Sequence, residues 1–334
     1  MIETLKKPLP LRLVDWMLEH TRFPSIIVGC CIAIPMLMLS ILSGAFYPDD
    51  VRPWSANPLE MTGLFLMVAI LPAYLLMCLV ASQRHSNRNR DYIARNIADP
   101  AMIHSELARW YPWWVLAIPF GIFNIYFNIG NELSLNPSSP AFAVSFNIYF
   151  GQWILWTAVG LVLFFAILEA HLLHRMSRHV AINLYDLNAL NGFGQNALSN
   201  FLMIAGALAL TTLQGIDQRF EWVNYRNGLI VGIPALLILV PLPIWALHRR
   251  IKVEKQSLLE QIDLKIRSTS TSLEAGDLER MNELLIRREQ IQKLRNWPMD
   301  LSIFSRFFVY AFIVPLAWAG AALMEVFLDR TLGL

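Results

Sequence analysis

The residues best placed to do chemistry inside an apolar stretch lie between Pro119 and Glu132, where the chain reads PFGIFNIYFNIGNE. Asn124, Asn128, Asn131 and Glu132 recur at i, i+4, i+7 and i+8, which puts them on one helical face. A carboxamide facing lipid is costly unless it is hydrogen-bonded, so this face must meet protein or water. Two chemistries follow. The amides can bond to a neighbouring helix, at around 0.6 kcal/mol per contact, or they can wall a solvated path. Gln152 and Thr157 in the next apolar block could complete either arrangement, as could Thr211, Thr212 and Gln214 in the one after.

A second cluster reads HLLHRMSRH over 171–179. His171 and His174 are three residues apart, a spacing that lets two imidazoles share a helical face. The same face carries Arg175 and Arg178, which repel a metal cation, while Glu169 points away. Contact with anionic headgroups is therefore expected of His171, His174, Arg175 and Arg178, and no metal site. A third feature, NGFGQNA over 191–197, has the form GxGxxA. A dinucleotide fingerprint needs a preceding strand, and here an apolar block follows. Gly192 and Gly194 are expected in a flexible loop ahead of a helix N-terminus, a place suited to an anion or a headgroup phosphate.

The chemistry that is missing narrows the field further. No Asp, Glu, Lys, Arg or His falls in the middle of any apolar block; Glu132, Glu169, Arg306 and Glu325 sit at block ends. Proton relays and ion-coupled sites depend on such mid-membrane groups. The sequence holds no P-loop, GxSxG or HExxH, and no buried axial ligands for haem. No catalytic residue, metal or cofactor is expected. Cys30, Cys31 and Cys78 all lie in apolar blocks without metal-ligand spacing, so no disulfide framework is inferred. The first apolar block runs too long for a cleavable signal.

These residues must be positioned by long apolar helices. The chain has 334 residues, 56% hydrophobic and 16% charged, against about 25% charged in soluble domains. Its apolar residues gather into blocks near twenty long, the length a helix needs to cross the hydrocarbon core. The sequence predicts an all-α, polytopic transmembrane bundle of about seven spans: 25–46, 61–81, 113–133, 148–169, 198–216, 228–247 and 304–325. The fifth, rich in Ala and Gly, is the weakest. Spans one to six make up a bundle over 25–247, and the last span with a short external tail occupies 304–334.

Segments 1–24, 82–112, 170–197 and 248–303 hold 4, 5, 2 and 11 Lys or Arg, and Arg306 flanks the same side. Arg52, Arg219, Arg226 and Arg330 alone lie opposite. The positive-inside rule then puts the N-terminus in the cytoplasm and the C-terminus outside. Residues 1–24 read as a short interfacial helix that either lies along the inner leaflet or caps the bundle. Segment 248–303 reads as a cytoplasmic antiparallel helical hairpin. Leu259, Ile262, Ile266, Thr269 and Leu273 form one apolar stripe, and Leu278, Met281, Leu284, Leu285, Ile291 and Leu294 the other, with the turn at Gly276 and Asp277. Acidic and basic residues are nearly balanced there, and the net charge of the chain is +2, so nucleic acid is not an expected partner.

The expected function is passive transport or a channel-like activity, in a homo-oligomer, with Asn124, Asn128 and Glu132 facing the pathway. The rival is a membrane-anchored sensor or scaffold offering 251–296 to a cytoplasmic protein, and a lipid-modifying enzyme ranks third. The expected location is a bacterial inner membrane.

Overall fold

Prolines and the limits of the apolar runs set most helix boundaries. The computed structural model describes residues 7–43, 58–94, 101–129, 136–138, 142–180, 182–185, 187–215, 222–270, 277–297 and 301–332. Every regular element among them is a helix. Helix α1 covers Leu9–His20 and α2 starts at Pro24 and runs to Leu42, its fixed φ suiting a first turn whose N–H groups lack partners anyway. Then come α3 (Pro58–Ala94), α4 (Ala101–Trp110), α5 (Ala117–Ile129), α6 (Phe142–Ser177) and α7 (Asn191–Leu210). The chain closes with α8 (Trp222–Leu239), α9 (Pro241–Ser270), α10 (Asp277–Lys293), α11 (Leu301–Ala311) and α12 (Ile313–Leu332).

Among the described residues, five helical stretches are long and apolar enough to cross a membrane: Pro24–Leu42, Thr62–Asn87, Phe142–Ser177, Asn191–Leu213 and Arg226–Thr269. They overlie five of the seven predicted spans. The other two are helical but broken. Over 113–133, a 3-10 turn at Tyr111–Leu116 precedes the 13 residues of α5. Pro119 has no N–H to give the Val115 carbonyl, which disfavours a continuous α-helix across that point. Over 304–325, Pro315 likewise leaves the Ala311 carbonyl without a donor, and α11 gives way to α12 at Phe312. The shorter apolar stretch Ser305–Gly320 remains.

Helix α6 is the hub. Its 36 residues extend about 54 Å at 1.5 Å per residue, and it touches α2, α3, α4, α5, α8 and α9. Leu172, Leu173 and Met176 of α6 meet Phe193 of α7 and Leu247 and Ile251 of α9 in one buried cluster. Small residues permit the closest approaches. A Cβ on Gly160 would stand 3.1 Å from the Cα of Ala117 on α5, and one on Gly206 of α7 would strike the Tyr74 hydroxyl, which donates to the Leu202 carbonyl (3.0 Å). The outer surface stays apolar: Ile34, Met38, Phe123, Tyr126, Ile230, Leu237, Phe308 and Leu316 are all exposed, as lipid-facing positions must be. Helix α1 buries Leu11 and Val14 and exposes Leu9, Leu13 and Trp16, spaced i, i+4 and i+7 along one face.

Beyond the bundle, α10 folds back along α9. Arg288 pairs with Asp263 (2.6 Å) and Lys255 reaches the carbonyls of Gln292 and Leu294 (2.8 and 2.7 Å), an order of contacts that makes the two helices antiparallel. Ile262 and Ile291 are buried, whereas Leu285 is exposed. The predicted turn at Gly276 lies outside the described residues, as does Leu273.

Candidate functional site

The amide row of the predicted third span divides at the edge of the described residues. Asn131 and Glu132 lie outside them, and so does the side chain of Asn128. Asn124 is buried in α5, and its Nδ2 donates to the Phe120 carbonyl one turn back (2.9 Å). Thr157 faces α5 from α6: a Cβ on Gly121 would collide with its hydroxyl and stand 3.1 Å from its amide nitrogen. The Thr157 Oγ1 is shielded and has no hydrogen-bond partner among the described residues. Gln152 is buried and accepts from Trp156 Nε1 (3.0 Å). The three described residues of this set thus sit in helix packing. A further buried amide that the sequence reading did not single out, Asn147, donates to the hydroxyls of Ser40 and Ser43 (both 3.2 Å) and ties α6 to α2.

Polar groups concentrate instead around the C-terminal end of α6. Glu106 of α4, only 8% exposed, faces His171 Nε2 at 3.3 Å and Arg175 Nη2 at 3.4 Å. The His171 ring also lies 5.4 Å from Trp110. The two predicted headgroup residues His171 and Arg175 are therefore held by a carboxylate of this chain. Nothing in their local spacing reveals Glu106, which is 65 positions away. His174 and Arg178 take a different course. Arg178 Nη2 donates to His174 Nε2 (3.0 Å), and among the described residues Arg178 meets no carboxylate. Deeper in, Asn196 of α7 donates to Glu169 (3.2 Å), and both are buried.

Gly192 and Gly194 are not in a loop. They occupy the first turn of α7, which begins at Asn191 directly after a 3-10 turn at Leu187–Leu190, and Gly194 is buried beside Phe193. The apolar run that follows and the tight turn before it draw these residues into the helix despite two glycines.

Helix α9 is fastened at this same end. Arg250 Nη1 donates to the carbonyl of Ser177 (2.8 Å), at the end of α6 where helix carbonyls lack intrahelical donors, and to that of Val180 just beyond it (3.2 Å). A cation there also complements the negative end of the helix dipole. Lys255, 9% exposed, places its ammonium on the Gln292 and Leu294 carbonyls and on Asn296 Oδ1 (3.0 Å), so it caps α10 in the same way. His248 Nδ1 donates to the Asn296 carbonyl (2.7 Å) and its ring stacks 4.2 Å from Trp297. Near the end of α10, Lys293 bonds Glu289 (2.7 Å) and holds that exposed carboxyl below its ordinary pKa.

Between α6, α8 and α9 opens a cleft of about 740 Å³. Its wall carries His174, Arg178, Arg249 and Arg250 together with the apolar Leu237, Ile238, Leu242 and Trp245. This juxtaposition of cationic and apolar groups belongs to residues up to 79 positions apart, from His174 to Val253, and no local motif announces it. No family model matches the sequence, and neither a curated protein nor a solved structure matches the chain.

Proposed function

We propose that the protein is a multi-pass membrane protein acting as an anchored sensor or scaffold, which holds α9 and α10 in the cytoplasm as an arm for a protein partner. The observation that carries this reading is the build of the arm. Helix α9 runs unbroken from Pro241, beside the apolar end of α8, to Ser270, and Arg250 and Lys255 fasten it to α6 and α10. A merely tethered hairpin needs no such fastening. Leu264, Leu285 and Ile286 stand 64%, 47% and 49% exposed on the arm, and exposed aliphatic groups on an otherwise charged surface suit a protein contact. The test replaces Leu264, Leu285 and Ile286 with Lys in the full chain and isolates it from membranes after cross-linking. Loss of the cross-linked partner at unchanged membrane level supports the reading; an unchanged cross-linked product refutes it.

Passive transport along the amide row is the second reading and has less support, because Asn124, Gln152 and Thr157 are taken up in helix packing. Solute flux in proteoliposomes tests it: Asn124→Leu with Asn128→Leu should abolish any flux that the row carries.

A further inference from the structure

The cleft at the end of α6 combines two surfaces that seldom meet in a soluble protein. Its cationic part carries three guanidiniums against a single lining carboxylate, Glu254. Arg250 is spent on backbone carbonyls, which are neutral, so its charge is not cancelled. Arg178 and Arg249 have no carboxylate within ion-pair distance among the described residues, unlike Arg175, which Glu106 holds. Its apolar part lies within the apolar section of the candidate membrane-crossing stretch Arg226–Thr269, at the C-terminal end of α8: Leu237 is 65% and Ile238 57% exposed, and Trp245, an interfacial residue by type, comes between them and Arg249 in the chain. Along this wall the order is aliphatic, aromatic, then guanidinium, the same order as acyl chain, glycerol region and phosphate in a lipid leaflet.

We propose that this cleft binds one anionic phospholipid, with its phosphate between Arg178 and Arg249 and an acyl chain along Leu237 and Ile238. Charge selects the class. Guanidinium donors pair with phosphate oxygens in a bidentate fork, and the wall offers only Glu254 to balance the cationic headgroup of a zwitterionic lipid. The aliphatic wall excludes a free phosphate as the natural occupant, since such an ion gains nothing from Leu237 or Ile238.

The full chain, purified in mild detergent, is titrated with phosphatidylglycerol, with phosphatidylcholine and with glycerol phosphate, and binding is read by native mass spectrometry. Phosphatidylglycerol should bind in preference to the other two. Removing both of these guanidiniums in R178Q/R249Q should weaken it about thirtyfold, from about 1 kcal/mol for each basic residue at a lipid surface. The control K265Q/R280Q deletes the same charge from the arm and should leave binding unchanged. Equal binding by R178Q/R249Q, or equal binding of phosphatidylcholine, overturns the proposal. Glycerol phosphate binding as tightly as the lipid also overturns it, by showing a soluble-anion site. Should R178Q impair folding, R249Q alone alters an exposed side chain and should still cost about fivefold.

Discussion

Lys255→Met removes an ammonium while keeping most of the aliphatic stem. The wild-type ammonium makes three short bonds, to the Gln292 and Leu294 carbonyls and to Asn296 Oδ1. A hydrogen bond to a charged group contributes about 1.5–3 kcal/mol net. The three do not add in full, because one buried ammonium is desolvated for all of them and the freed acceptors lie at an end that water can reach. A cation at a helix C-terminus contributes up to about 2 kcal/mol in partly buried geometry. A net loss of about 2–3 kcal/mol in the docking of α10 is therefore expected. Since RT is about 0.59 kcal/mol, amides of α10 should exchange with solvent roughly 30- to 150-fold faster, in the regime where exchange follows the opening equilibrium. The assay is hydrogen–deuterium exchange by mass spectrometry on the full chain in detergent. Peptides from α6 act as the internal standard and should keep their rates. If 281–293 exchanged within twofold of wild type, the capping argument would be wrong. If α6 accelerated equally, Lys255 would be stabilising the whole molecule rather than the arm.

Four further outcomes are expected. Gly121→Ala should lower the unfolding temperature in detergent, at a cost of about 1–3 kcal/mol for overpacking against the backbone of Thr157 and Trp153, while Thr157→Val should be neutral or stabilising because its enclosed hydroxyl has no partner; a stable G121A protein would contradict the close α5–α6 contact. A double-mutant cycle of Glu106→Gln and Arg175→Gln should give a coupling of about 0.5–1 kcal/mol, kept small by the exposure of Arg175, and zero coupling would show that the pair does not persist. For Glu289, whose carboxyl is depressed by Lys293, the stabilising effect is present above the unfolded carboxyl range and lost as pH falls through the folded value. Glu289→Gln should therefore lower the melting temperature slightly at pH 7, by a deficit that shrinks as the pH is taken down through the carboxyl range; a deficit that does not change with pH removes the charge explanation.

Hydropathy alone located five of the membrane-length helices, because a block such as 160–167 is apolar on all sides and has no other stable home. It could not foresee that Pro119 and Pro315 divide the two remaining blocks, since prolines also occur inside helices that stay whole, as Pro72 does in α3 and Pro234 in α8. The antiparallel run of α10 on α9 was readable from Ile262 and Ile291, two stripe positions that are buried, but Leu285 shared the pattern and is exposed. Asn124 illustrates a different gap. Its spacing identifies the face, yet an amide that bonds its own helix four residues back leaves no mark in the sequence. The lining of the cleft was partly visible, as basic residues on two flanks. What stayed hidden was which arginines had partners: Arg175 and Arg178 are three apart, and only the first meets Glu106.

The unbroken length of α9 has a mechanical consequence. Its 30 residues make a rod about 45 Å long, set off from α8 by a break at Val240 and held to the end of α6 at Arg250. A tilt of roughly 5° about that fastening, small beside the scatter of helix packing angles, would sweep the far end, about 30 Å away, through about 2.6 Å. Leverage of that size lets a sub-ångström rearrangement near the bilayer surface register at Ser270 as a displacement wide enough to make or break a side-chain contact.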